Sequence, residues 1–226
     1  MKLLTYSSSK IEKSNNAGLG YLTAIMYLAP SKLSGHNVCP FASPGCIATC
    51  LNTAGRGRFD NVQQARINRT NFLFSNRQAF LAQLGREINA HVRKAERLGL
   101  KPAVRLNGTS DIAWEKVVPM HAFPTVTFYD YTKSLKRVSS PMPSNYHLTF
   151  SRSEKAQGYS VAADVGKSLE YGVNVAVVFH NVPDHYHGVT VVDGDKHDMR
   201  FLDPVGVIVG LKAKGRAKRD TSGFVV

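Results

Sequence analysis

No apolar run in this chain approaches the ~20 residues needed to cross a bilayer as a helix, so a membrane-spanning helix is not expected. Catalytic signatures are missing as well. There is no G-x-S-x-G, no H-E-x-x-H and no Walker loop. The opening Met-Lys-Leu-Leu is followed by SSSKIEKSNN rather than a sustained apolar stretch. No signal peptide is therefore expected, and a cytoplasmic setting is. Acidic residues are scarce, 16 Asp and Glu against 29 Lys and Arg, for a formal net charge of +13. That balance suits nucleic acid or another phosphate-bearing partner, and equally a solvated basic surface, since the cations are spread along the chain. Their densest group is KAKGRAKR at Lys212–Arg219. At 226 residues, 43% of them hydrophobic, the chain can build one substantial core, and no linker composition divides it.

Cysteine is the scarcest reactive residue, and its placement is the strongest signal. All three lie within twelve residues: Cys39, Cys46 and Cys50, in HNVCPFASPGCIATCLNTAGRG at residues 36–57. A disulfide would strand one thiol, and buried structural cysteines belong in core strands rather than among Pro40, Ser43, Pro44, Gly45 and Asn52. Both alternatives stay behind metal or cluster binding, for which three thiolates are soft ligands. His36 could complete a Cys3His zinc site. Zinc modules usually pair two evenly spaced knuckles, whereas C-x6-C-x3-C is one uneven, Pro- and Gly-rich loop suited to wrapping a [4Fe–4S] cubane. The expectation is a [4Fe–4S] cluster with one open iron, and zinc is the alternative metal.

The rest of the chain alternates. Residues 1–20 form a polar lead-in, and Tyr21–Leu28 is a strand that delivers the chain into the cysteine loop. Helical patterns follow over Asn61–Phe74 and Arg77–Leu98, the second with Phe80, Leu81, Leu84, Ile88 and Val92 on one stripe and Gly99 as a stop. Further strands are expected at Pro102–Asn107, Pro124–Asp130, Tyr146–Ser153, Val173–His180 and Gly206–Leu211. Helices are expected at Glu154–Tyr171 and, capped by Asp111, from Ile112. A hairpin-like piece, GVTVVDGDKHDMRFLDP, precedes the last strand. Its Asp193 and Asp195 are metal-ligand types, but DGD fits a turn better.

Strands alternating with helices imply a parallel sheet with right-handed crossovers. Polar residues cluster just past the strand ends, and no G-x-G-x-x-G follows the first strand. The expected fold is therefore α/β: a partial (β/α) TIM-like barrel of about six parallel strands, a single domain over residues 21–226. Asn107, Ser110, Asp111, Lys133 and Arg152 would line its mouth and hold a small-molecule ligand. Turn formation, salt bridging and simple solvation are their plainer roles.

A cysteine triad on the loop after the first strand resembles the radical S-adenosylmethionine (SAM) superfamily, in which SAM chelates the fourth iron. The usual spacing there is C-x3-C-x2-C, and the glycine-rich motif after the second strand is replaced here by Asn107-Gly108-Thr109-Ser110-Asp111. Closer still, CPFASPGCIATCL, VRLNGTSDIAWE, FYDYTK, HLTFSRSE and VVDGDKHDMRFLDP in fixed order resemble the phage-encoded gene product 88 domain. That resemblance implies a phage origin and a host-cytoplasm setting. Two functions follow: a redox or radical SAM-like enzyme, or a non-catalytic cluster (or zinc) protein that binds nucleic acid or a host protein.

Overall fold

The computed structural model describes residues 1–226, apart from the side chain of Ser9. Nine strands form one mixed sheet: β1 (Leu4–Thr5), β2 (Tyr21–Met26), β3 (Lys101–Arg105), β4 (Thr127–Thr132), β5 (Tyr146–Ser151), β6 (Val175–Phe179), β7 (His185–Tyr186), β8 (Val189–Asp193) and β9 (Ile208–Lys212). Their spatial order is β1-β2-β3-β4-β5-β6-β9-β8-β7. The run from β2 through β6 to β9 and β8 is parallel, while β1 and β7 pair antiparallel at the two margins. Six helices accompany the sheet: α1 (Ser9–Asn16), α2 (Pro44–Ala48), α3 (Asp60–Ser75), α4 (Arg77–Arg97), α5 (Leu135–Val138) and α6 (Val161–Glu170).

Each face of the sheet has its own cover. The α4 stripe buries Phe80, Leu84 and Ile88 against Ala24, Met26, Val104 and Phe128 on β2, β3 and β4. Phe80, Leu84 and Ile88 each contribute about 1.5–3 kcal/mol by leaving water. Gly99, at φ +64°, ends the helix in the left-handed region that glycine tolerates, and the chain turns directly into β3. Val165 of α6 packs on Phe150, Val175 and Val177. On the opposite face lie α1 and the 3-10 turn Arg200–Leu202. There Lys10 and Arg105 share Asp198, and Phe201 packs edge-on against Tyr21 and Tyr129.

Four expectations need correction. The sheet is open and nine-stranded, and the six-strand TIM-like barrel does not form. Closure requires the outermost strands to pair with each other, whereas here two-residue antiparallel strands end the sheet at both margins. The polar lead-in is part of the fold: Leu3, Leu4 and Ile11 are buried, and the N–H groups of Leu3 and Leu4 donate to the Glu87 carboxylate at 2.8–3.0 Å. Asp111 caps no helix. The segment beyond it is a 3-10 turn, Trp114–Lys116, whose capping position is Ala113 and has no side-chain cap bond. Likewise α6 starts at Val161 behind a Ser160 cap, leaving Glu154 free for another task.

Candidate functional site: a half-buried thiol loop at the strand ends

Because β2 to β6 and β9 run in one direction, their C-terminal ends share one edge of the sheet. The cysteine loop leaves β2 at that edge. Ser43 caps α2 by accepting from the Cys46 N–H, and Pro44 is pre-set for the first helical turn. The cap is itself clamped from a distance. The Ser43 hydroxyl donates to Glu154 Oε2 at 2.6 Å, and the Gly45 N–H donates to Glu154 Oε1 at 2.7 Å. Burial alone would raise the Glu154 carboxyl, but these donors outweigh it and hold its pKa below the ordinary value. Gly45 is obligatory here, since a Cβ would stand 2.4 Å from Ser222 Oγ and 2.8 Å from Phe224 Cβ.

The three thiols lie within one another's electrostatic reach. Burial pushes Cys39 up to about 12, and the neighbouring Cys50, Cys46 and Asp111 push in the same direction. Burial also raises Cys46 and Cys50; Lys133 opposes the rise at both, joined at Cys50 by the Asn52 N–H and Arg66. Cys39 Sγ accepts the Ser31 N–H at 3.2 Å and donates to the Thr109 carbonyl at 3.6 Å. Gly108 permits that approach: its N–H donates to the Met26 carbonyl at 2.9 Å, where a Cβ would lie 2.6 Å from the same oxygen. Cys46 packs against the C-terminal cluster of Ala213, Ala217, Phe224 and Val225.

The residues expected at the mouth have well-defined partners. Lys133 is buried, which lowers its pKa, and its ammonium donates to the Ser151 carbonyl, Ser151 Oγ and the Arg152 carbonyl at 2.9–3.3 Å. It also sits 4.7 Å from the centre of the Phe224 ring and within the field of Cys46. Arg152 Nη1 donates to the carbonyls of Gly223 and Phe224, so it fastens the segment that covers Cys46. Asn107 spends its amide on Ile112, Trp114, Ser110 and Asp130, and Ser110 donates to Asn107 Oδ1. Asp111 accepts the Lys133 N–H at 2.8 Å and pairs with Arg137, while its own N–H donates to the Val38 carbonyl beside Cys39. Asp111 therefore ties the turn after β3 to the thiol loop, Asn107 and Ser110 fix that turn, and Lys133 and Arg152 join the ends of β4 and β5 to the segment covering Cys46.

Several residues of the site carried no sequence signal. Arg66 on α3 stacks over Tyr27, donates to Asn52 and bears on Cys50, and its buried Nε has no partner. Arg137 joins Asp111, Glu115 and Tyr146, and the Tyr146 hydroxyl donates a hydrogen bond to Asp130 at 2.9 Å. His36, the candidate fourth ligand of the alternative zinc site, stacks flat on Phe74 with ring centres 4.1 Å apart. Among the described residues no group of three or more His, Cys, Asp or Glu side chains is drawn together as a ligand set for a metal ion. The thiols thus do not fit a single compact ion. Asp193 accepts the Asp195 N–H and Asp195 pairs with Lys214, the turn reading of DGD.

Beside the thiols opens a cleft of about 850 Å³, walled by Phe41 of the cysteine loop, Phe74, Trp114, Asp111, Arg137 and Met142. No helix in the structure is long and apolar enough to cross a membrane. No curated protein and no solved structure matches the chain. A family model does: gene product 88, matched over residues 1–226. The order of motifs from CPFASPGCIATCL to VVDGDKHDMRFLDP is thus carried by a whole-length match, and this chain belongs to the gene product 88 family.

Proposed function

We propose that this protein is an iron–sulfur protein that holds one [4Fe–4S] cluster through Cys39, Cys46 and Cys50 and leaves one iron for a non-protein ligand. The observation that carries the reading is the thiol loop itself. Three half-buried thiols from one loop lie within one another's electrostatic reach, with Lys133 and Arg66 close enough to favour their ionised forms. The preference for a cluster over zinc rests on the sequence: one uneven, Pro- and Gly-rich C-x6-C-x3-C loop suits the corners of a cubane, whereas zinc modules usually pair two evenly spaced knuckles. The donor chemistry fits: soft thiolates with two buried or half-buried cations to offset their charge. Such a cluster supplies single electrons, and an iron without a protein ligand accepts an amino–carboxylate chelate of the kind SAM offers.

The chain's own residues do the rest. Lys133, fixed by three oxygens, lowers the cost of ionising Cys46 and Cys50. Arg152 holds Phe224 over Cys46 and excludes water there. Glu154 keeps α2, and with it Cys46, in register with Cys50. The cleft beside Asp111 provides room for a substrate-sized ligand.

Anaerobic reconstitution with iron and sulfide tests the reading. A brown protein with about four irons per chain, lost in Cys46→Ala, is expected. A colourless protein that takes up one zinc and no iron overturns it. In the reduced cluster, SAM should shift the electron paramagnetic resonance signal, and a signal unmoved at saturation removes the SAM-like ligation while leaving the cluster.

A further inference from the structure

The cleft beside the thiol loop has a character that its position alone does not require. Phe41 and Phe74 stand open on its wall, 43% and 48% exposed, although large aromatic side chains normally seek cover. A flat ring already lies on Phe74: the His36 imidazole stacks on it at an interplanar angle of 3°. The cations Arg77, Lys116 and Lys136 also line the cleft, all exposed and none in an ion pair among the described residues. The two carboxylates in the same wall are spoken for. Arg137 Nη1 meets Asp111 Oδ1, and Nη2 meets Glu115 Oε2, each at 2.8 Å. Both acidic groups are thus paired within the wall, and with four cations lining it against two carboxylates the cleft is net positive.

We infer that this cleft binds single-stranded nucleic acid, with bases stacked on Phe41 and Phe74 and phosphates met by Arg77, Lys116 and Lys136. Exposed aromatic platforms between unpaired cations are what a single strand needs, because every base has a π-face and every linkage a negative charge. A duplex hides its bases from such platforms. A volume of about 850 Å³ open to solvent accommodates more than one nucleotide and lets a strand enter and leave. The net charge of +13 adds attraction that is not specific to sequence. The run Lys212–Arg219 is a weaker candidate for this role: Lys214 is paired with Asp195, and Ala213 and Ala217 are buried. The inference stands whether or not the thiols hold a cluster.

Fluorescence anisotropy of the full chain with labelled oligo(dT), oligo(rU) and a duplex of equal length tests it. Tighter binding of the single strands than of the duplex is expected, and the dT and rU arms separate DNA from RNA. Phe74→Ala should weaken single-strand binding about 5- to 150-fold with the salt slope unchanged, since one stacked base contributes about 1–3 kcal/mol. Lys116→Gln with Lys136→Gln should lower the slope of log K against log salt by about 1.4, about 0.7 for each phosphate lost. Thermal melting of each variant checks that the fold is intact, as exposed positions should leave it. Preference for duplex, displacement of the oligomer by a mononucleotide at equal strength, or unaltered affinity in Phe41→Ala and Phe74→Ala overturns the proposal. So does loss of binding only when the cations of Lys212–Arg219 are removed.

Discussion

Replacing Arg137 by Met should destabilise the protein more than any other single change at the site. Its guanidinium is 6% exposed and pairs with Asp111 and Glu115, themselves 9% and 7% exposed, and it donates to the Tyr146 hydroxyl at 2.9 Å. Met fills much of the same volume, so the cost is electrostatic rather than a cavity. Removing one partner of a buried pair costs about 3–5 kcal/mol, because the remaining charge stays out of water. Two carboxylates are left here, although Asp111 keeps the Lys133 N–H. For a chain of this size each kcal/mol lowers Tm by about 2–4 °C, so a fall of about 6–20 °C is expected. Asp111→Asn in the same background should restore part of the loss, with a coupling of about 0.5–3 kcal/mol between the two sites. Circular dichroism of reversible thermal unfolding measures both. The effect should reach the thiols, since Asp111 holds the Val38 carbonyl next to Cys39, and labelling of Cys39 should accelerate in the variant. An Arg137→Met protein that melts within about 2 °C of the parent would refute the account of a paired, buried wall.

Two further outcomes concern protons. Burial raises all three thiols, Cys39 up to about 12, so Cys39 in the metal-free protein should alkylate far more slowly at pH 8 than a free cysteine does. Iron uptake, which needs thiolates, should fall steeply between pH 8.5 and 6.5; equal uptake at both values would contradict the burial. The Glu154 carboxyl lies below its ordinary value, so its contribution is present above the unfolded glutamate range and is lost as pH falls through the folded value. Protection of Cys46 from labelling should therefore drop on acidification below about pH 4, the ordinary glutamate range, and Glu154→Gln should be unprotected at neutral pH. Identical labelling of parent and variant would show that the clamp does not hold α2.

Much of the architecture is written in short-range pattern. VNVAVVFH is apolar almost throughout because β6 is covered on both faces, and the α4 stripe repeats at helical spacing because one side meets β2 to β4. The clustering of Cys39, Cys46 and Cys50, the strand that precedes them and the alternation of strands and helices are all local, so composition and period expose them. The margins of the sheet are another matter. Leu3, Leu4 and Ile11 look isolated in a polar lead-in, and their burial depends on β2 and on Glu87, more than eighty residues along the chain. Whether the sheet closes depends on which strands become its edges, and β8 and β7 were carried outside β9 by pairing that no local period encodes.

The same division runs through the site. Residue type and spacing mark the thiols as soft ligands, but what surrounds them comes from far away in sequence. Glu154 reaches Ser43 across 111 residues, Arg137 reaches Asp111 across 26, and Arg152 fastens Phe224 across 72. A carboxylate or guanidinium in the sequence looks the same whether it is solvated or locked in a buried pair. Only the folded chain decides, because burial multiplies the cost of an unpaired charge and so selects the few arrangements in which each one is met. The sequence by itself determined that three thiols would stand at the end of a parallel strand. The tertiary structure decided that they would be half-buried, with Asp111 and Glu154 holding their loop, Lys133 beside them and an open aromatic cleft next to it.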